Sequence, residues 1–363
     1  MKRPNQFKLC AWMFSAVCGV SIAGLTLPAN VLAQGTKKAP AKKDDPADAP
    51  ATKKSDAAKK ESKPAKRSDD DERGEPQKVQ METTDHVIIE AYYFPPLRPD
   101  KNTPAVILLH DYGQKQSVFW PTNDKDKDLA FVLQNKGYAV LTFDFRGHGR
   151  STNWVGKPGG AAQKGAPKLD LSEFRTPAQL TKMLEDIEAG KRFLVRQNNR
   201  GEINVSKLGV VGCEMGASLG VLWSFRDWSF KPQPGFSHGK QGEDVQAIVL
   251  VSPQYNFKGL SINHELNGLQ QIIPIQVVVG KKDTKAFGEA DKMFQAAKRA
   301  RPNESDTRLT ELDVKIQGSK LLNPDYELNA QDEIVKFFDA TLKKKGGKWE
   351  LRELSDEEKA GGP

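Results

Sequence analysis

From His86 onward, short runs rich in valine, isoleucine and leucine recur at His86–Phe94, Ala105–His110, Tyr138–Phe143, Leu208–Val211, Gln246–Val251, Ile275–Val279 and Leu309–Ile316. Several are apolar at consecutive rather than alternate positions, the pattern of strands covered on both faces. Helical patterns lie between them, at Asp128–Lys136, Pro177–Arg196, Met215–Asp227, Ala286–Arg299 and Gln331–Lys345. In Pro177–Arg196, Leu180, Met183, Leu184, Ile187 and Leu194 share one face. Strands alternating with helices through short links predict an α/β fold, a mostly parallel central sheet with helices on both faces. Residues Gln254–Gly268 interrupt the rhythm and are expected to form a short cap over the C-terminal edge of the sheet, where open α/β folds bind ligands. The Gly/Pro-rich stretches Asn153–Lys168 and Lys231–Glu243 read as surface loops.

The flanks have a different composition. Lys2, Arg3 and Lys8 precede an apolar run from about Leu9 to Leu27, and Val31-Leu32-Ala33 offers small residues for cleavage. Residues 1–33 therefore read as a signal peptide of an exported (periplasmic or extracellular) protein, cleaved after Ala33; the alternative is an N-terminal membrane anchor. Residues 34–78 are Lys, Ala, Asp, Pro and Ser with almost nothing to bury, a disordered tether. The folded domain is expected at 79–345, followed by a charged flexible tail at 346–363. Two of the three cysteines, Cys10 and Cys18, lie in the leader, so the mature chain keeps Cys213 and has no internal disulfide. The net charge is +8, but from Val79 onward it is only +2. The basic balance therefore belongs to the leader and tether. It gives no reason to expect nucleic acid, and leaves at most a weak contact of the tether with the cell envelope.

The run Leu208-Gly209-Val210-Val211 leads into Gly212-Cys213-Glu214-Met215-Gly216. Small residues two before and two after a central position allow a sharp turn from strand to helix that presents the central side chain at the strand tip. In serine hydrolases that side chain is the serine of G-x-S-x-G. Here it is Glu214, which has no hydroxyl to become an alkoxide. A second match, Gly216-Ala217-Ser218-Leu219-Gly220, would require the strand to reach Gly216, whereas the apolar run stops at Val211. Ser218 is weighed as a nucleophile and expected instead to be a small packing residue early in the helix.

Further motifs occur in order along the chain. Val106-Ile107-Leu108-Leu109-His110-Asp111-Tyr112-Gly113 resembles the strand and His-Gly-x-Gly loop of the α/β-hydrolase superfamily, near its dienelactone-hydrolase-like and serine-aminopeptidase-like members. Phe143-Asp144-Phe145-Arg146-Gly147-His148-Gly149-Arg150-Ser151 is similar to that family's D-x-R-G-H-G-x-S segment, and Glu185–Leu194 resembles the helix before the elbow strand. Val279-Gly280-Lys281-Lys282-Asp283 resembles the turn that carries the family's acid. The resemblance spans roughly Val87 to Leu342 and implies an α/β-hydrolase fold.

It also implies where catalytic parts belong. The nucleophile position falls on Glu214 and the acid on Asp283, and the backbone N–H groups of Tyr112 and Met215 would form the oxyanion hole. The triad histidine should follow the last strand, where the chain reads Gln317-Gly318-Ser319-Lys320, and the last of the five histidines is His264. His264, in the expected cap, is the one weighed as a substitute base. Glu214 as a carboxylate nucleophile would leave an ester with no base to hydrolyse it. Loss of serine or histidine from a triad costs on the order of a million-fold in rate. The expected function is therefore that of an exported, non-catalytic binding protein of α/β-hydrolase fold, with a small-molecule or acyl ligand in its pocket. Two alternatives stand beside it: a hydrolase of ester or related acyl bonds working through Ser218, or through Glu214 with His264, and an envelope-associated structural module. No metal cluster, phosphate-binding glycine loop or dinucleotide motif is present, so no cofactor or metal is expected. Glu214, at a helix start, is expected to act as a built-in anion that fills the oxyanion hole and stabilises the fold by roughly 0.3–1 kcal/mol.

Overall fold

The strands expected from apolar runs, joined by one edge strand that they do not include (β1), form one mixed sheet, in the order β1-β2-β4-β3-β6-β7-β10-β11. In the computed structural model, which describes residues 74–155, 168–230, 241–302, 306–344 and 346–353, the strands are β1 Gln77–Glu82, β2 Val87–Phe94, β3 Pro104–Leu109, β4 Ala139–Phe143, β6 Asn204–Cys213, β7 Val245–Val251, β10 Ile275–Gly280 and β11 Arg308–Leu312. A two-residue strand, β5 (Asn153–Trp154), pairs with β2. The β1–β2 and β2–β4 pairs are antiparallel, and every pair from β4 through β11 is parallel.

Consecutive apolar residues serve both faces of this sheet. In β3, Ala105, Ile107 and Leu109 join one buried cluster while Val106 and Leu108 join the other. The first cluster lies under α3 (Leu184–Asn199), α4 (Met215–Ser229) and α6 (Thr284–Ala300). The second lies under α1 (Leu129–Asn135) and α7 (Ala330–Phe338). Helices on both faces are therefore as expected, and so is the cap: an antiparallel pair, β8 (Asn256–Phe257) and β9 (Leu260–Ser261), followed by α5 (Asn263–Leu269).

The D-x-R-G-H-G segment and the helix before the elbow are joined by charge. Arg146, almost fully buried, pairs with Asp186 at 2.7 Å and with Asp85 at 2.5 Å. His110 Nε2 accepts from the Phe145 N–H at 3.1 Å, which leaves Nδ1 to donate to the Asp111 carbonyl at 2.7 Å. Burial holds this imidazole neutral, with its pKa near 3. It braces the two loops and takes no proton.

The boundaries differ from expectation at the start of the domain, within Pro177–Arg196 and at the end of the chain, and β11 stops at Leu312 rather than Ile316. The domain begins within the expected tether, because β1 starts at Gln77 and pairs with β2 through Met81 against Ile89. Pro177–Arg196 is not one helix but a turn, α2 (Pro177–Leu180), a tightened turn at Thr181–Met183, and then α3; the Thr181 hydroxyl donates back to Ala178 at 3.0 Å where the helix tightens. The expected flexible tail packs against the domain through Glu353. Trp349 Nε1 donates to Asn198 at 3.1 Å, and Arg352 reaches Ser206 Oγ at 2.6 Å and pairs with the buried Asp244. A guanidinium placed between buried acceptors cannot be a free end. The leader at 1–33, the tether to residue 73, most of both expected loops and the last ten residues lie outside the described residues. No helix among the described residues is long and apolar enough to cross a membrane.

Candidate active site

The chain leaves β3 for β4 on one side, while β6 lies on the other, so a crevice opens between the C-terminal ends of β3 and β6. The elbow stands in this crevice. Glu214 has φ 44° and ψ −103°, a conformation that costs a side-chain-bearing residue roughly 1–3 kcal/mol and persists only where its surroundings impose it. Its N–H donates to Val251 of β7 at 3.0 Å. A Cβ on Gly212 would strike the Gly216 carbonyl, and one on Gly216 the Leu109 carbonyl, so both glycines are required by the close approach of β3, β6 and α4. The strand runs two residues past the expected Val211, to Cys213, and α4 begins at Met215.

Around Glu214 lies a cleft of about 510 Å³ lined by Asp111, Tyr112, Glu214, Gln317, Ser319 and Lys320 among others. The loop after β11, where a histidine would belong, is tied down at three successive residues. Gln317 Nε2 donates to Asp283 Oδ2. The Gly318 N–H donates to Ser252 Oγ at 2.9 Å. Ser319 donates to Asp111 Oδ2 through both its N–H and its hydroxyl, each at 2.9 Å. Gln317 thus takes the partner's place beside the expected acid. Asp283 also caps α6 by accepting from the Ala286 N–H at 3.0 Å, and these bonds hold its carboxyl below the usual range. A carboxamide positions Asp283 as an imidazole would, but cannot carry a proton from nucleophile to leaving group.

The other weighed residues are dispersed. Ser218 is fully buried in the first turns of α4, with its hydroxyl turned back toward the Glu214 carbonyl. His264 is exposed on α5, edge-on to Phe225 with ring centres 5.7 Å apart, and does not line the cleft. Tyr112 lines the cleft and lies under Lys258 of the cap, whose Nζ stands 4.3 Å from the ring centre. Met215 supplies the first N–H of α4.

One expectation is overturned. Glu214 does not fill the oxyanion hole, because its carboxylate accepts no hydrogen bond from the start of α4. The elbow dihedrals throw the side chain outward instead. The point that a Cβ on Gly318 would occupy is 3.0 Å from Glu214 Oε1 and 2.5 Å from Asp111 Oδ2, so the two carboxyl groups converge there. Among the described residues the Glu214 side chain has no hydrogen-bond or ion-pair partner. Burial, then the Asp111 charge, push the Glu214 pKa above the ordinary value, with Lys320 opposing. Burial likewise raises Asp111 against its Ser319 bonds. The Cys213 thiol beneath is raised well above its usual value by burial and by both acids. The cleft floor is a pair of acids held above their ordinary pKa, next to the Gln317 amide, with no histidine among the lining residues.

No family profile matches the chain, and no curated protein does. Among solved structures, the Pyrococcus furiosus esterase Pf2001 superposes with a TM-score of 0.50 at 17% identity, covering 77% of this chain and 95% of that one. The Pyrococcus horikoshii acylaminoacyl peptidase does so with a TM-score of 0.50 at 13% identity, over 79% of this chain and 43% of the other. Sheet order, elbow and superpositions agree: this chain has the α/β-hydrolase fold.

Proposed function

We propose that this protein is a non-catalytic binding protein built on a hydrolase scaffold, exported by the leader at its N-terminus, which takes a small molecule in the cleft above the elbow. The observation that carries the reading is the pairing of Gln317 with Asp283 opposite a glutamate at the elbow. Acyl transfer of the serine-hydrolase kind needs a hydroxyl nucleophile and an imidazole to carry its proton, and Glu214 and Gln317 are neither. Burial of Ser218 and exposure of His264 away from the cleft weigh against a rearranged site. The leader pattern Lys2–Ala33 supports export.

The test is incubation of the purified protein with a fluorophosphonate probe and with p-nitrophenyl esters. No covalent label and no turnover above buffer are expected. Labelling of Ser218, or turnover abolished by Ser218→Ala, would overturn the reading.

A further inference from the structure

The cleft has a charge pattern that the fold does not use. On its floor stand Asp111 and Glu214, the latter without a partner among the described residues. At its edge stand Lys315 and Lys320, both exposed and neither in an ion pair among the described residues. Gln114, Gln317 and Asn323 add amide donors and acceptors to the same lining, and Tyr112, Val118 and Ile316 add apolar surface. Elsewhere among the described residues, buried carboxyl groups are met either by a cation, as Asp186 by Arg146 and Asp227 by Lys191 at 2.5 Å, or by N–H and O–H donors, as Asp128 and Asp144 are. Glu214, half-buried in the cleft, has neither. Opposed only by the Lys320 charge outside ion-pair distance, it is left to meet a positive charge or N–H donors from a ligand.

We propose that the cleft binds a small zwitterion, its ammonium group set between Glu214 and Asp111 and its anionic group toward Lys315 and Lys320. The proposal rests on the binding reading above and gives its ligand class. Ser319 already supplies two donors to Asp111, so Asp111 is fixed in place, and Glu214 is the group left to meet the ligand. The ammonium would neutralise two acid groups whose oxygens approach each other beside Gly318. A dication would bring a second positive charge to the lysine edge, and a simple anion would meet the acids on the floor. Only a ligand with both charges matches both ends.

The experiment is calorimetric titration of the full-length protein, near neutral pH, with L-alanyl-L-alanyl-L-alanine, its N-acetyl form, its C-terminal amide and free L-alanine. Trialanine is expected to bind. Removing its ammonium by acetylation should weaken binding by at least about tenfold, the scale of leaving one charge of a desolvated pair unmatched. Amidation should weaken it less, because the lysines are exposed. In Glu214→Gln, where Asp111 is the one acid left to meet the ammonium, the acetylation penalty should shrink severalfold, and in the double variant Lys315→Gln, Lys320→Gln the amidation penalty should disappear; an acetylation penalty unchanged in Glu214→Gln would overturn the placement of the ammonium. Binding of L-alanine in place of trialanine would support the same chemistry with a free amino acid as its source. Equal affinity for the acetylated form, or no binding of any probe, would overturn the proposal. Recovery of trialanine as cleaved fragments would instead overturn the non-catalytic reading, so the two failures are distinct.

Discussion

Replacing Glu214 with glutamine tests the geometry at the elbow directly, because the two shapes match and only the charge is lost. One oxygen of Glu214 and one of Asp111 lie 3.0 Å and 2.5 Å from the same point, so they are at most about 5.5 Å apart (3.0 + 2.5). At about 5 Å and an effective dielectric near 20, two unit charges repel by roughly 3 kcal/mol. Glu214 is only half-buried and Lys320 opposes the repulsion, so we expect a net gain of about 1 kcal/mol for Glu214→Gln at pH 8. For a domain of this size that raises Tm by about 2–4 °C. The sign follows from linkage. Both carboxyl pKa values are raised in the folded state, so that state binds more protons than the unfolded chain. Stability is then greatest below the ordinary carboxylate values and falls as pH rises through the raised ones. The advantage of the glutamine variant should therefore shrink toward zero on acidification to about pH 4 and be largest at pH 8. Calorimetric melts of both proteins across that range decide it. A variant less stable than the parent at pH 8 would refute the reasoning, since it would mean that the carboxylate is bonded after all, as an anion over the start of α4.

Other consequences are more local. Gly216→Ala should destabilise the domain by about 3 kcal/mol or more, because the new Cβ meets backbone of β3 that has no room to yield; a melt unchanged from wild type would contradict the packing at the elbow. Arg352→Ala should cost about 2–3 kcal/mol by chemical denaturation, below the usual 3–5 for a broken buried pair because Lys191 still neutralises Asp244; no loss would show that the tail is not docked. The double variant Glu214→Ser, Gln317→His should react with a fluorophosphonate faster than Glu214→Ser alone, since it places an imidazole beside Asp283; equal rates would show that position 317 is not where a histidine can act.

Much of the fold was legible in the sequence because a sheet covered on both sides must be written in uninterrupted apolar residues. Leu208–Val211 and Ile275–Val279 could hardly be anything else. β1 was not legible, since only Met81 of Gln77–Glu82 is fully buried and an edge strand needs little apolar content. Nor was the docked tail, where Trp349 and Arg352 matter because of what they meet across the domain rather than because of their neighbours in the chain. At the site, the glutamate at the elbow and the missing histidine stood plainly in the sequence. Gln317 did not, although the glycine after it, Gly318 at φ 62°, marks the turn that brings it back to Asp283.

What the sequence determined by itself was the scaffold and which residue stands at the elbow, because strand periodicity, the paired glycines and residue identity there are local properties. What only the tertiary structure decided was the direction of the Glu214 carboxylate and the company it keeps. Its place in the chain sets it against the helix start, where backbone N–H groups favour an anion. The strained elbow instead turns it toward Asp111 and the loop after β11, residues that are distant in the chain and meet only when β3, β6 and β11 lie in one sheet.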